Sequence, residues 1–579
     1  MLGRRNRSPI WRELGGVFSA WIGRRRSRFA ILAILIGIQP ISAQQPAVGL
    51  PVPASAVPPT GTLPAAPVSA GQPPAGTPGV DRLSTIVNGV PADEAALRSI
   101  VNDALNERDA KKKADDTLKE KAALAGSSGS FPLSPYWDNG LMFGSPNKDW
   151  KFHLGGRFQA ESLFWAQPLN LRGTPPGNGG IQQSAPGAGV GTLEDGSFFR
   201  RVRLRSDGVA YETFEYVLEV DFEQLNLITF DHMWIGVKDD RWGTLRVGQM
   251  KVPQGMEMIG SDYHLTMLER SPLSDSLFTL FGQGIFYQNN FFNNNVVFQT
   301  MFHRIQPIQA FTGDFGNGNY AETTRLTWTP LYEDEGAKVV HVGGSYQWRS
   351  GDIGHTIQPG GTGSTFGDTQ DVVRFRARPN LRDAVGVGST NFLGSNSNRF
   401  VDTGFLLADS VNTLAPEFLL TYGPLSIQSE AGFSTLSNAR SLYGGNGVAP
   451  GQALGSPTFW GTYSEISYIL TGEHRGYDRR SGMYDRIKVK NNAFGSRGAD
   501  GQRHWGLGAW QLAYRYSFLD LNDKNVNGGQ LIQNEVGLNW YLNDNTKLQF
   551  MFLTAHRSVI APATSGTTNG FGVLAQWYF

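Results

Sequence analysis

Apolar and polar positions alternate with a period of two along most of the chain. Tyr216, Leu218, Val220 and Phe222 alternate with Val217, Glu219, Asp221 and Glu223. Val340, Val342, Gly344, Tyr346 and Trp348 alternate with His341, Gly343, Ser345, Gln347 and Arg349. Leu512, Tyr514, Tyr516 and Phe518 alternate with Gln511, Ala513, Arg515 and Ser517. Successive side chains of a strand point to opposite faces, so this period predicts half-buried β-strands. From about residue 135 onward such segments are separated by Gly-, Asn-, Asp- and Pro-rich turns, without a long helical period. A soluble sandwich would alternate as well. Here one face carries aromatics at strand ends and the other carries Arg, Glu, Asp and Gln, which suits lipid outside and water inside. The final FGVLAQWYF sets Phe571, Val573, Ala575, Trp577 and Phe579 on one face, like the terminal strand of an outer-membrane barrel.

No run after residue 43 is long and apolar enough for a transmembrane helix, so a membrane crossing requires a closed barrel. Residues 131–579, at about ten per strand plus turns and loops, predict an all-β, transmembrane antiparallel barrel of about 16 strands.

The first 130 residues differ in texture. Arg4, Arg5, Arg7, Arg12, Arg24, Arg25, Arg26 and Arg28 precede the short apolar run Phe29–Ile38, and Ile41-Ser42-Ala43 follows. Basic start, apolar centre and small-residue end predict a cleaved export signal over 1–43. Ten prolines and no charged side chain make 44–80 an extended linker. Leu97, Ile100, Val101, Ala104 and Leu105 form a helical stripe within 81–130, a periplasmic helical segment. A solvated helix and an oligomerising stalk with weak coiled-coil character both fit it.

Composition narrows the chemistry. With no cysteine, disulfide scaffolds, thiolate metal sites and thiol nucleophiles are excluded. The net charge of +1 becomes −6 once the signal's eight arginines and one glutamate are removed. An acidic exported chain argues against nucleic-acid binding. The nine histidines form no H-x-x-x-H pair, and Gly360–Gly363 lies outside any strand–helix context. No nucleophile elbow is present. No enzymatic activity, metal or cofactor is expected.

Two stretches concentrate positive charge. FFRRVRLRS (Phe198–Ser206) puts Arg201, Arg203 and Arg205 on one strand face, and VVRFRARPN (Val372–Asn380) does the same for Arg374, Arg376 and Arg378. Arginines at i, i+2 and i+4 recur about every 7 Å, and their forked donors suit oxyanions. Such a column could pass an anion from site to site. It could equally pair with acids such as Glu219, Asp221 and Glu223. Arg246, Arg325, Arg486, Lys488 and Lys490 are further basic residues on candidate lumen faces.

Several stretches in chain order resemble the phosphate-selective porin O and P family. They are VGQMKVPQGMEM from Val247, MLERSP at Met267–Pro272, FRARP at Phe375–Pro379, and GTYSEISYILTGEHRGYDRRSGMYDRIKV at Gly461–Val489. GAWQLAYRYSFLDLND and GLNWYLNDNTK within Gly508–Lys547 resemble the family's closing strands. The resemblance spans most of 135–579 and is strongest after 460. It implies a 16-stranded barrel, usually a homotrimer, narrowed by an inward-folded loop and conducting anions such as phosphate. Through FRARP it places an arginine ladder on Arg374, Arg376 and Arg378. Asn170–Gly191 and Gly351–Asp371 are unmatched insertions. The expected protein is an outer-membrane porin favouring small, phosphate-like anions, with lipid around it. A general diffusion pore that also contacts the cell wall through residues 44–125, or a barrel enzyme, are the alternatives.

Overall fold

The structure, a computed structural model, describes residues 133–579 except 139, 146–148, 174–188, 225–226, 306–319, 352–372, 382–398, 443–447, 498–500 and 561–563. The expected export signal, Pro-rich linker and helical segment lie outside the described residues, as does most of both insertions.

Among the described residues, eighteen strands hydrogen-bond into one sheet, and sixteen of these close into an antiparallel barrel. In chain order they are β1 (Trp150–Ala166), β2 (Gly196–Ala210), β3 (Phe214–Gln224), β4 (Leu227–Asp239), β5 (Gly243–Lys251), β6 (Phe281–Phe291), β7 (Val296–Ile305) and β8 (Tyr320–Glu333). The second half comprises β9 (Lys338–Ser350), β10 (Ser410–Tyr422), β11 (Leu425–Ser437), β12 (Thr458–Ile469), β13 (Ala509–Asp523), β14 (Val526–Asn543), β15 (Thr546–Ser558) and β16 (Gly566–Tyr578). Neighbours in sequence pair in register around the wall, and β16 closes it by pairing with β1 from Asn569↔Ala166 to Tyr578↔Arg157. Below that point Gly156 and Phe579 exchange two backbone hydrogen bonds of 2.8 and 3.0 Å. A hairpin of Ser134–Trp137 and Leu141–Gly144 then takes over the edge of β1 at Lys151–Leu154. Closure removes open edges, which lipid could not satisfy.

The two ends differ. Tight turns join β2 to β3, β4 to β5, β6 to β7, β8 to β9, β10 to β11 and β14 to β15 at what we call the turn end. The opposite, loop end carries most of the long connections. The expected alternation holds across the wall. Leu218, Phe222, Val342, Tyr346, Trp348, Leu512, Tyr514 and Tyr516 are exposed, whereas Glu219, Asp221, His341, Ser345, Gln347, Gln511, Arg515 and Ser517 are buried.

Three connections fold into the barrel. The β5–β6 connection carries α1 (Met256–Ile259) and α2 (Pro272–Leu277). Ser271 caps α2, accepting from the Ser274 N–H at 3.3 Å, and Pro272 occupies the first turn, where its missing N–H costs nothing. α2 packs against β11, β12 and β13 on the far wall. The β9–β10 connection forms a short ladder of Arg376–Ala377 with Val401–Asp402. Arg557 on β15 anchors it through the Phe400 carbonyl at 2.7 Å. The β12–β13 connection enters from the turn end as a hairpin of Arg475–Asp478 and Met483–Ile487. Its tip is held by Arg325, which donates to the carbonyls of Ser481 (3.2 Å) and Gly482 (2.8 Å) and to Glu417 (2.6 Å).

These insertions give the barrel an apolar core. Leu268, Leu273, Phe278, Phe375, Leu381 and Phe400 from the connections pack with Leu163, Phe459, Leu519, Leu531, Leu553 and Leu574 of the wall. Each such buried side chain contributes roughly 1.5–3 kcal/mol. Gly572 permits this contact, since a Cβ there would lie 2.6 Å from Leu381 and 2.7 Å from Leu268. The core therefore occupies the lumen beside β11–β16 and displaces water toward β1–β7.

Candidate functional site: a charged passage along one wall

The passage is built on β2. Alternation alone would turn Arg201, Arg203 and Arg205 inward and Arg200 outward. Instead the β1–β2 register shifts between Gln159 and Ala160: Phe199 pairs with Ala160 and Arg201 with Gln159, so Arg200 is an extra, bulged residue. Phe199 stays on the exposed face, while Arg200 and Arg201 are both buried inside. Four arginines thus descend the inner wall from loop end to turn end, over about 17 Å at strand rise.

Each of them meets carboxylates. Arg200 pairs with Glu269 of the inward connection and with Glu223 at 3.5 Å. Arg201 reaches Asp262 at 2.5 Å and donates to Gln159 at 2.7 Å. Arg203 pairs with Asp221 at 2.6 Å, Glu219 at 3.4 Å, Asp262 at 3.3 Å, and Asp231. Arg205 pairs with Asp207 at 2.8 Å and Glu219 at 3.1 Å. The cross-strand register sets Arg203 opposite Asp221 and Arg205 opposite Glu219, so the acidic face of β3 is the built-in partner of the row. Desolvated charges need such compensation.

Two chambers follow the row. The loop-side chamber, about 150 Å³, is bordered by Arg200, Arg201, Arg270 and Arg378 with Glu223, Glu269 and Asp275. The turn-side chamber, about 530 Å³, is bordered by Lys151, His153, Arg157, Arg205 and Arg246. Arg203, Lys251 and Asp262 line both and define the neck between them. Lys251 is fixed there by the carbonyls of Ile259 (3.2 Å) and Gly260 (2.6 Å). Asp262 lies on the inward connection and is gripped by three wall arginines, Arg157, Arg201 and Arg203. Burial alone would raise its pKa; the charges of Arg157, Arg201 and Arg203 outweigh burial and hold the carboxyl well below the usual range.

The other sequence-predicted residues are placed differently. Arg374, Arg376 and Arg378 do not share the face of a barrel strand; they lie on the inward β9–β10 connection. Pro379 and the run of turn residues around it end the ladder after two residues. Arg374 is bound to Asp402 at 2.5 Å and stacks on Phe405 at 4.3 Å. Arg376 sits half-buried in the ladder, and Arg378 alone of the three borders the loop-side chamber. Arg486 lies on the turn-end hairpin with its guanidinium 5.2 Å from the Tyr578 ring. Lys488 and Lys490 are exposed beyond that hairpin, and Lys490 donates to the Gly472 carbonyl at 2.6 Å. The alternation argument extended a strand face through what is a loop. Arg157 and Asp262 carried no signal of their own in the sequence, apart from the inward phase of Arg157 on β1; Arg200 stood in the first arginine stretch on its outward phase, and Lys251 in the family-like stretch from Val247.

A closed sixteen-stranded antiparallel barrel, apolar outside and holding charged chambers inside, is the architecture of an outer-membrane porin, a channel fold rather than an enzyme fold. The chain belongs to the phosphate-selective porin O and P family, whose model matches residues 189–579. It is 24% identical to Porin O of Pseudomonas aeruginosa over 464 residues, 76% of this chain and 90% of that one. An uncharacterized protein of Caulobacter vibrioides is 43% identical over 74 residues, 13% of each chain. Among solved structures, an anion-selective porin from Comamonas acidovorans aligns with a TM-score of 0.39 at 11% identity, covering 74% of this chain and all of that one. OmpF of Salmonella typhi aligns at 0.40 and 11%, covering 77% and 100%.

Proposed function

We propose that this porin conducts small anions, phosphate-like solutes favoured, along the arginine row, and that it does so as a homotrimer exported with removal of residues 1–43. The observation that carries the reading is the row itself. Arg200, Arg201, Arg203 and Arg205 span both chambers and the neck, and the turn-side chamber is lined by six Lys and Arg residues against four carboxylates. Arg378 feeds the loop side of the same path. Arg374, Arg376, Arg486, Lys488 and Lys490 contribute field rather than contact. Because every arginine of the row already holds a carboxylate, each offers an anion a weak site, and weak consecutive sites let it leave.

The test is a planar bilayer under a KCl gradient. The expected reversal potential favours chloride, and phosphate added to the bath reduces the chloride current. Arg203→Ala should halve the anion preference or more and weaken that block. A potassium-favouring potential would overturn the reading. Cross-linking of the detergent-solubilised protein should give a three-chain species, and N-terminal sequencing of the exported chain should begin at Gln44.

A further inference from the structure

The lumen of a porin is ordinarily polar, yet the turn-side chamber has one apolar wall. Val217, Trp234, Met250 and Phe286 border it, together with Pro253 and Ile259 of the inward connection. Met250 and Phe286 are almost wholly buried and pack with Val252 and Met301, rooting that connection. Their role is structural. Trp234 packs against this cluster but is only partly buried, and it faces the chamber. Its cross-strand neighbours are Val217 and Gly248. Gly248 takes a φ of +137°, and a Cβ there would lie 2.7 Å from Trp234 Cα, so the glycine lets the two backbones approach closely beside Trp234.

A cation lies over this surface. The Arg246 guanidinium sits 4.3 Å from the indole centroid and 5.6 Å from the Phe286 ring. Glu215, at 3.3 Å, occupies one Nη, while the buried Nε has no hydrogen-bond partner. Arg205, the most open member of the row with 36% of its side chain exposed, borders the same chamber. Trp234 is opposite Val217, Val217 is opposite Asp207, and Asp207 is two residues below Arg205. At strand spacings of about 4.8 Å and a same-face repeat of about 6.7 Å, the two backbones are roughly 12 Å apart. Arg205 and Trp234 thus border the same chamber from the two ends of this span.

We propose that the turn-side chamber selects organic anions with a flat aromatic body and one acidic head. The head meets Arg205 and Arg246, and the ring lies along Trp234. This rests on the anion-porin reading and adds a solute class to it. A chamber of about 530 Å³ is far larger than an inorganic oxyanion requires, and it falls within the range that encloses small organic ligands. A stacked ring and a guanidinium attract each other through the ring quadrupole, whereas an aliphatic acid of equal charge gains nothing from the indole.

The test compares benzoate with acetate as blockers of chloride current through the full-length protein in a bilayer. Benzoate should reach half-block at a concentration at least tenfold below that of acetate. Trp234→Ala should bring the two within about twofold, and Trp234→Phe, which keeps a flat ring, should retain most of the difference. Equal block of the native channel by both acids overturns the proposal, as does a ratio unchanged in Trp234→Ala. If Trp234→Ala does not insert, the native and Trp234→Phe ratios still decide it. The KCl-gradient potential, recorded on the same membranes, separates the two failures. A potassium-favouring potential sinks the anion reading itself, whereas a chloride-favouring potential with equal block sinks only the aromatic class.

Discussion

At the scale of single residues, the informative group is an acid. Asp262 puts one negative charge in the neck and draws Arg157, Arg201 and Arg203 around it. It therefore lowers the very potential an anion would follow, while pinning the inward connection to the wall. Asp262→Asn should separate these effects. A unit charge within about 4 Å is worth roughly 1–4 kcal/mol in aqueous to surface-like surroundings. The anion-to-cation permeability ratio should accordingly rise about fivefold or more. The same change takes one carboxylate from buried Arg201 and from half-buried Arg157 and Arg203, and breaking a buried pair costs about 3–5 kcal/mol, so thermal unfolding in detergent should occur at lower temperature. The pH dependence follows from the depressed pKa. The stabilisation by Asp262 is fully present above the ordinary carboxylate range and is lost only as pH falls through the folded value, well below that range. Conductance and selectivity should stay flat from pH 7 to pH 4 at this site. A transition near pH 4 that Asp262→Asn abolishes would contradict the assignment.

The residue scale also marks the limit of reading from sequence. The pairing of Arg203 and Arg205 with Asp221 and Glu219 was legible, because period two puts all four on one face and adjacent strands must pair. Arg200 was not. In FFRRVRLRS it occupies the outward phase, and only the extra residue opposite Gln159 and Ala160 turns it inward. Asp262 was equally silent, since no periodicity marks a loop residue that meets its partners across the barrel.

At the scale of elements, the sixteen strands matched expectation; one inward loop was expected without its place, and three connections fold inward, that between β9 and β10 holding what was read as a strand. Strand-like alternation in VVRFRARPN was real, but it served a two-residue ladder inside the lumen. Short apolar runs bury equally well in a wall or against one. The turn-end hairpin of Arg475–Ile487 is the element with the largest expected effect on flow. Its tip meets Gln288 and Asn290, which both donate to the Arg480 carbonyl at 2.7 Å, and Arg325 holds Ser481 and Gly482 from β8. Tyr477 joins Thr329 and His341 at 2.8 and 2.7 Å. The hairpin thus bars the mouth below β6–β9 but touches none of the row on β2. Replacing residues 475–487 with a short Gly-Ser turn should raise single-channel conductance about twofold or more and leave the sign of the reversal potential unchanged. A conductance equal to that of the native protein would mean that the narrowest point lies at the neck alone.

At the scale of the whole molecule, charge and core have to be taken together. The exported chain is expected to be acidic, and the lumen beside β11–β16 is filled by the inward connections, which meet that wall through apolar packing and through the pairs of Arg515 with Glu257 and Glu535. Any anion preference must therefore arise from local placement along β1–β5, where cations outnumber carboxylates in the turn-side chamber by six to four. A field made of opposed, paired charges is short in range. Its reach is further cut by salt, since the Debye length is about 10 Å at 0.1 M and about 3 Å at 1 M. The passage should then be anion-selective in dilute KCl and lose most of that preference by 1 M, where counter-ions screen the excess charge within the chambers. Direct contact behaves differently: a solute that binds the row replaces water and counter-ions at the guanidinium groups, and its block should weaken with salt but not vanish. Reversal potentials at equal concentration ratios, recorded from 0.05 to 1 M KCl, check the first part, and phosphate block over the same series checks the second. A preference that stays constant across the series would place selectivity in the geometry of the neck and not in the charge balance of the wall.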